Sequence, residues 1–334
     1  MRRRRAHLKR PDVQRAFVGA LWELASHGFA EAVVHAEGVH RVLHAAEVHP
    51  KEERLNARVA GVLRLLAVND ECKTSIGEAG GEKLLIKMAK AFPSSGSVQA
   101  DVAGAIAVLA VDDALEASIA ESGGIEVLLG SLQRHKASPS VAAHAWHALT
   151  NLSINLDNKT RIASGADMKA LIRAALETHA SAPRVIEGVA TTLRNLSLGQ
   201  GAANYVDNAT LGKLVSALKT FSEQTIVSLA VAGAIRAVAA DMTLAHEIAA
   251  NHNGHEVLKA ALEAHRDDDR LKQEVESALR RLDAALQGDS GASRQSEVGP
   301  ASKTRLPLGG KAKVVATGTL MGMITPKGRK SKRG

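Results

Sequence analysis

The chain has 334 residues, a formal net charge of +8 at pH 7, 2% aromatic residues and a single cysteine. One cysteine excludes an intrachain disulfide and a cysteine-cluster zinc site, and it suits a reducing, intracellular setting. The most apolar stretch, near 225–240, is broken by Arg236, so no membrane span is expected.

Residues 1–10, MRRRRAHLKR, hold six basic and no acidic residues. Without an apolar core they do not read as a secretory signal, and a solvated basic arm is expected. From 11 to 287 the chain repeats itself, most plainly where ALTNLS (148–153) returns as TLRNLS (192–197). One apolar anchor recurs at Leu43, Leu85, Leu128, Leu171, Leu214 and Leu258. A second recurs at Leu24, Leu66, Leu109, Leu152, Leu196, Val238 and Leu282. Both ladders step by 42–44 residues, which marks an internal repeat.

Apolar spacings of three and four in VQRAFVGALWELA, VAGAIAVLA and VAGAIRAVAA predict helices. Pro11, Pro50, Pro93, Pro139 and Pro183 stand at boundaries. A small residue opens each segment before the first anchor: Gly38, Gly80, Gly123, Gly165, Asn208 and Gly254. These are predicted to take positive φ at a helix junction. Another glycine recurs mid-helix at Gly19, Gly61, Gly104 and Gly233, with His147 and Thr191 in that slot of the two central repeats. Such a glycine costs up to ~1 kcal/mol against alanine, so its return implies close helix contact or an open inner face.

Each unit therefore reads as a short helix, a Gly-led helix and a longer third helix. A lone third helix over 11–26 is followed by repeats at roughly 27–69, 70–111, 112–154, 155–198, 199–240 and 241–287. The last, with RDDDRLKQEVESALRRLDAAL, is charged enough to serve as a terminal cap. The expected fold is an all-α solenoid. Residues 288–334, rich in Gly, Ser and Lys, read as a disordered basic tail. A VVATGTLMGMI island (314–324) within it is suited to ordering on a partner. Residues 303–334 hold nine basic and no acidic residues, which leaves about −7 on 11–302. Basic ends attract nucleic acid, acidic membrane surface or acidic protein.

A three-helix period of 42–44 lies in the armadillo/HEAT range of ~40–47, above the tetratricopeptide and ankyrin periods. EAGGEKLL, ESGGIEVLL and AEGVHRVL resemble the armadillo second helix. VGALWELA, AGAIAVLA, HALTNLS and TLRNLS resemble its third. The likeness, over about 11–287, is to the armadillo repeat family of the beta-catenins and importin-alphas. It implies a right-handed superhelix whose third helices line a concave groove, acting as a non-enzymatic protein-binding scaffold or adaptor.

The resemblance also implies that Asn151 and Asn195 face the groove and hydrogen-bond the backbone of an extended peptide. The residue type equally suits satisfying a neighbouring helix end. Where an import receptor carries tryptophan, four residues earlier, this chain has His147 and Thr191. The slot just before the asparagines holds Arg64, Thr150, Arg194, Arg236 and Arg280. Side by side these arginines would form a basic stripe for an acidic or phosphorylated peptide, or pair with neighbouring carboxylates. Trp22 aligns with that stripe as a partly exposed anchor, whereas Trp146 occupies a core slot.

Near the end, Lys327, Arg329, Lys330, Lys332 and Arg333 read as a nuclear localisation signal, a solvated tail, or a nucleic-acid contact. They carry the alternative function: a nucleic-acid-associated or nuclear-transport-related protein that binds through its basic ends. The expected location is cytoplasmic, with the nucleus open. His40/His44, His144/His147 and His252/His255 pair at helical spacing but lack a third ligand, so no metal is expected. No P-loop, GxSxG or dinucleotide fingerprint is present, so neither an enzyme nor a cofactor is expected.

Overall fold

The computed structural model describes residues 9–291. The basic cluster at 327–333 and the 314–324 island lie outside the described residues. Among those described, eighteen α-helices, one 3-10 turn and no strand are found. They fall into two compact units, one reaching to Val127 and the other beginning at Leu128.

The first unit contains α1 (Pro11–Ser26), α2 (Ala30–His35), α3 (Gly38–Val48), α4 (Glu53–Leu66), α5 (Asp70–Glu78), α6 (Gly81–Ala91), α7 (Gly96–Leu109) and α8 (Asp113–Glu121). The boundary falls inside α9 (Gly124–Arg134). The second unit continues with α10 (Pro139–Leu152), α11 (Leu156–Gly165), α12 (Met168–Thr178), α13 (Pro183–Gln200), α14 (Asn208–Thr220), α15 (Thr225–Val238), α16 (Met242–Asn251), α17 (Gly254–Ala264) and α18 (Asp269–Gly291). Within the first unit the third helices pack in series, α1 on α4 and α4 on α7. In the second, α10 packs on α13, α13 on α15 and α15 on α18. The anchors form the core: Leu66, Leu109, Leu152, Leu196, Val238 and Leu282 are fully buried, as are Leu85, Leu128, Leu214 and Leu258. Each buried leucine contributes about 1.5–3 kcal/mol by leaving water. Leu24, the first rung, is the exception and stands exposed.

The first helices start from a capping ladder. The side chains of Asn69, Asp112, Asn155 and Asp241 accept hydrogen bonds from the free N–H groups of α5, α8, α11 and α16. In the repeat that opens near 199 the corresponding residue is Gly199, which has no acceptor to offer. There α13 runs on to Gln200, for 18 residues against 14 in α10 and α15, and stops at Gly201 with φ 82°. The short first helix expected at this point is reduced to the 3-10 turn Ala202–Asn204, and Ala202, Tyr205 and Val206 fill the space beneath.

The junction glycines divide into two demands. Positive φ occurs at Glu37, Gly80, Gly123 and Asn253, not at Gly38 or Gly254 as expected. The next residue, Gly38, Gly81, Gly124 or Gly254, is a glycine because any Cβ would collide with Val33, Ile76, Ile119 or Ile248. Gly165 and Asn208 do not take positive φ, although a Cβ on Gly165 would stand 2.7 Å from Leu129 Cδ1. At those places Asp167 and Asp207 start α12 and α14 by capping the N–H groups of Ala170 and Thr210. The mid-helix slot does mark close contact: Gly61 lies under the Trp22 ring, and a Cβ on Gly233 would stand 3.2 Å from Arg194 Cδ. Cys72 is buried in α5, its Sγ 3.7 Å from Ala30 O, and burial pushes its thiol up to about 11.

Candidate partner-binding wall

Within each unit the third helices pack in series, so residues near their last turns decide what the seams between them display. In the first unit Arg64 is buried in the α4–α7 seam, where its Nε donates to Asp101 Oδ1 at 3.3 Å. Burial raises the pKa of Asp101, and Arg64 opposes that rise. Trp22 is half-buried over Gly61.

In the second unit the α10–α13 seam is neutral. Thr150 Oγ1 donates to Gly188 O (3.3 Å) and lies 3.0 Å from Thr192 Oγ1, which reaches Trp146 O at 3.2 Å. The half-buried Asn195 donates through Nδ2 to Thr150 O (3.2 Å) and Ser153 Oγ (2.9 Å). Its amide oxygen has no hydrogen-bond partner among the described residues. Asn151 is buried, with 6% of its surface exposed. His147 is largely buried, with Nε2 3.1 Å from Arg184 O and 3.7 Å from Glu187 Oε2. Desolvation, helped by the Arg184 charge, pulls the imidazole down to about 4, and burial pushes Glu187 up against the opposing pull of Arg184.

Farther along, the wall is ionic. Arg194 leaves α13, crosses over Gly233 of α15 and pairs with Glu274 of α18, Nη2 to Oε1 at 3.1 Å. Arg236 Nε holds the other oxygen of the same carboxylate. Arg281 donates from Nη1 to Arg236 O at 2.6 Å, and desolvation, then the Arg236 charge, lowers its pKa. Two guanidinium groups thus share one carboxylate, and a third, Arg281, lies close enough to feel the charges of both Arg236 and Glu274. About a third of the Arg194 side chain meets solvent, and Arg280 is exposed.

No protein-family model matches the chain, and no curated protein matches its sequence. Solved structures do match. One is a chain from a structure concerning a phosphorylation switch in the interaction between cadherin and beta-catenin. It superposes with a TM-score of 0.66 at 14% identity, over 85% of this chain and 62% of that one. Armadillo proteins computationally designed for modular peptide recognition give 0.56 at 20% identity, over 70% and 95%. A further designed armadillo repeat protein gives 0.52 at 19%, over 70% and 95%. The chain has the armadillo-repeat fold.

In armadillo terms, the two third-helix slots singled out in the sequence work mainly between helices. Asn195 and Arg281 hold the same slot, and each donates to a last-turn carbonyl 45 residues earlier, Thr150 O and Arg236 O. Arg64 and Arg236 sit in seams, joined to acids on the following helix. The structure brings Arg194, Arg236 and Arg281 together around Glu274 and His147 beside Glu187. It leaves Arg280 apart, and Arg64 and Trp22 belong to the other unit. One recurring feature escaped the sequence reading: an aromatic ladder at the second-helix ends, His49, Phe92, His135, His179, Phe221 and His265. His179 Nε2 meets Lys136 O at 2.9 Å, and His265 Nε2 meets Ser222 O at 2.6 Å, each 43 residues back. The 42–44 period would have shown it. Among the described residues no group of three or more His, Cys, Asp or Glu is placed to hold a metal, and no helix is long and apolar enough to cross a membrane.

Proposed function

We propose that the chain is a protein-binding scaffold whose third-helix wall in the second unit receives an extended partner segment with acidic or phosphorylated side chains. The observation that carries this reading is the charge imbalance around Glu274. Arg194 and Arg236 share one carboxylate and Arg281 lies beside them on a backbone carbonyl, so this group of three cations and one anion keeps a positive excess after its own pairing. Guanidinium forks match carboxylate and phosphate oxygens. Beside them the unpartnered amide oxygen of Asn195 is suited to accept a peptide N–H. The solved structures of designed armadillo proteins for peptide recognition add fold-level support.

An affinity pull-down with the full chain, run beside an Arg194→Ala/Asn195→Ala variant of unchanged circular dichroism, tests the reading. Partners lost with the variant identify the wall, and retention of every partner refutes it. The other reading, nucleic-acid binding through the basic ends, rests on six and nine uncompensated basic residues in 1–10 and 303–334. It is favoured by a gel shift that falls steeply with salt and ignores the same two substitutions.

A further inference from the structure

Of the ten large apolar side chains that stand exposed among the described residues, six fall in one short window, two to four residues past the buried anchor of a third helix: Val68, Ile154, Leu156, Leu198, Met242 and Leu286. Isolated exposed hydrophobics are ordinary on a protein surface. Recurrence at one point of a repeat is not, and the fold does not demand it. The positions of Leu156 and Met242 are filled by Asp70 and Asp113 in the first unit. Leu156, Leu198 and Met242 expose 68%, 58% and 51% of their surface.

In the second unit five of these residues form a row along one edge. The bonds from Asn195 to Thr150 and Ser153 hold the end of α13 beside the end of α10, which sets Leu198 next to Ile154 and Leu156. Arg194 lying over Gly233 holds α13 against α15, whose chain leads into Met242. A Cβ on Gly288 would lie 3.9 Å from Met242 Cε, which brings the end of α18, with Leu286, to the same place. Successive third helices stand about 8–10 Å apart, close to the ~10.5 Å rise of a helical heptad. A helix laid along the row would meet a new apolar residue roughly every two turns.

Charge is unequal on the two sides of the row. On the third-helix side, about 6 Å or one turn away, stand Arg194, Arg236 and Arg281, with Glu274 between them. On the first-helix side stand Asp157, which is exposed and makes no ion pair among the described residues, and Asp241, whose carboxylate caps α16. Half-buried Lys159 is the cation nearest Asp157 in sequence, Arg236 is the one nearest Asp241, and Asp283 of α18 turns to His255 at 2.8 Å. We propose that this edge docks an amphipathic helix of a partner protein. Its apolar stripe is bordered by acidic residues toward the arginines and by basic residues toward Asp157 and Asp241. The opposed charges fix the direction in which the helix lies. This goes beyond the extended-peptide reading of the wall: it shares that wall's arginines and adds the apolar row, which the extended-peptide reading does not use.

Fluorescence anisotropy of the full chain tests this with four labelled 21-residue helical peptides. One carries a leucine stripe with glutamate on one flank and lysine on the other. Two carry glutamate or lysine on both flanks, and the fourth has serine in place of the leucines. The mixed-flank peptide is expected to bind at least tenfold tighter than the other three, and Leu198→Ser/Met242→Ser/Leu286→Ser is expected to lose that binding while keeping its circular dichroism. Equal affinity for a uniform-flank peptide, or undiminished binding to the triple variant, overturns the proposal. Leu198→Ser/Met242→Ser/Leu286→Ser should keep the pull-down partners that Arg194→Ala/Asn195→Ala loses, so failure of the wall and failure of the edge are read separately. With Leu198→p-benzoylphenylalanine and no peptide, photo-adducts to residues 292–334 or to a second copy would also overturn it, because the edge would already be occupied.

Discussion

Between α10 and α13 the chain closes the joint with hydroxyls and an amide: Thr150, Thr192, Ser153 and Asn195. Between α15 and α18 it uses Arg236, Glu274 and Arg281, with Arg194 reaching in from a helix farther away. The geometry is the same in both, since a donor in the asparagine slot satisfies a last-turn carbonyl of the helix before. The difference lies in what is left over. The neutral joint consumes most of its polar groups, whereas the ionic joint ends with more guanidinium groups than carboxylates. One repeat can therefore be sealed while its neighbour keeps charge for a guest.

The largest expected effect comes from breaking the ionic joint. Glu274→Ala removes the carboxylate that holds two largely shielded arginines and should lower stability by about 2–3 kcal/mol in urea unfolding. Raising salt should narrow the gap between the variant and the parent. Thr192→Val in the neutral joint strands the hydroxyl of Thr150 less severely and should cost about 1–2 kcal/mol, with no change in salt dependence. If both variants show the same salt response, the contrast between the joints fails.

The fold was legible in the sequence because burial imposes the period: every repeat must supply a leucine at the same two depths, and those leucines are what a reader can align. The second unit's missing first helix was not legible from the anchors, since Leu196 and Leu214 keep their places while Gly199 withdraws the cap between them. The stripe was legible as residue types but not as a direction. Arg64 and Arg194 occupy one slot, yet Arg64 meets Asp101 on the adjacent helix, whereas Arg194 passes over Gly233 to a helix two positions on. That choice depends on side chains some 40 and 80 residues away. Asn151 and Asn195 show the same limit, one buried and one half-buried within matching sequence.

The neutral joint should also carry a pH signature. The folded pKa of His147 is depressed to about 4, below its ordinary 6.5, so the unfolded chain binds the proton more readily. Its contribution is complete above about pH 6.5 and is lost as pH falls toward 4. The raised pKa of Glu187 works in the opposite sense above its ordinary value, so the net slope is shallower than His147 alone would give. His147→Gln should flatten the rise in stability between pH 4 and 6.5, measured by urea unfolding at several pH values. The smallest effect is expected for Asn195→Ala: about 1 kcal/mol from a lost side-chain bond to a helix end, against a larger loss of partner in the pull-down.

Cys72 offers a practical return on its burial. A thiol held near 11 and shut inside α5 stays protonated at neutral pH and out of reach of maleimides. A cysteine introduced at Leu198 or Arg280 would then be the one site that takes a dye or spin label, with the native residue left in place, and motion of either surface on loading could be watched directly.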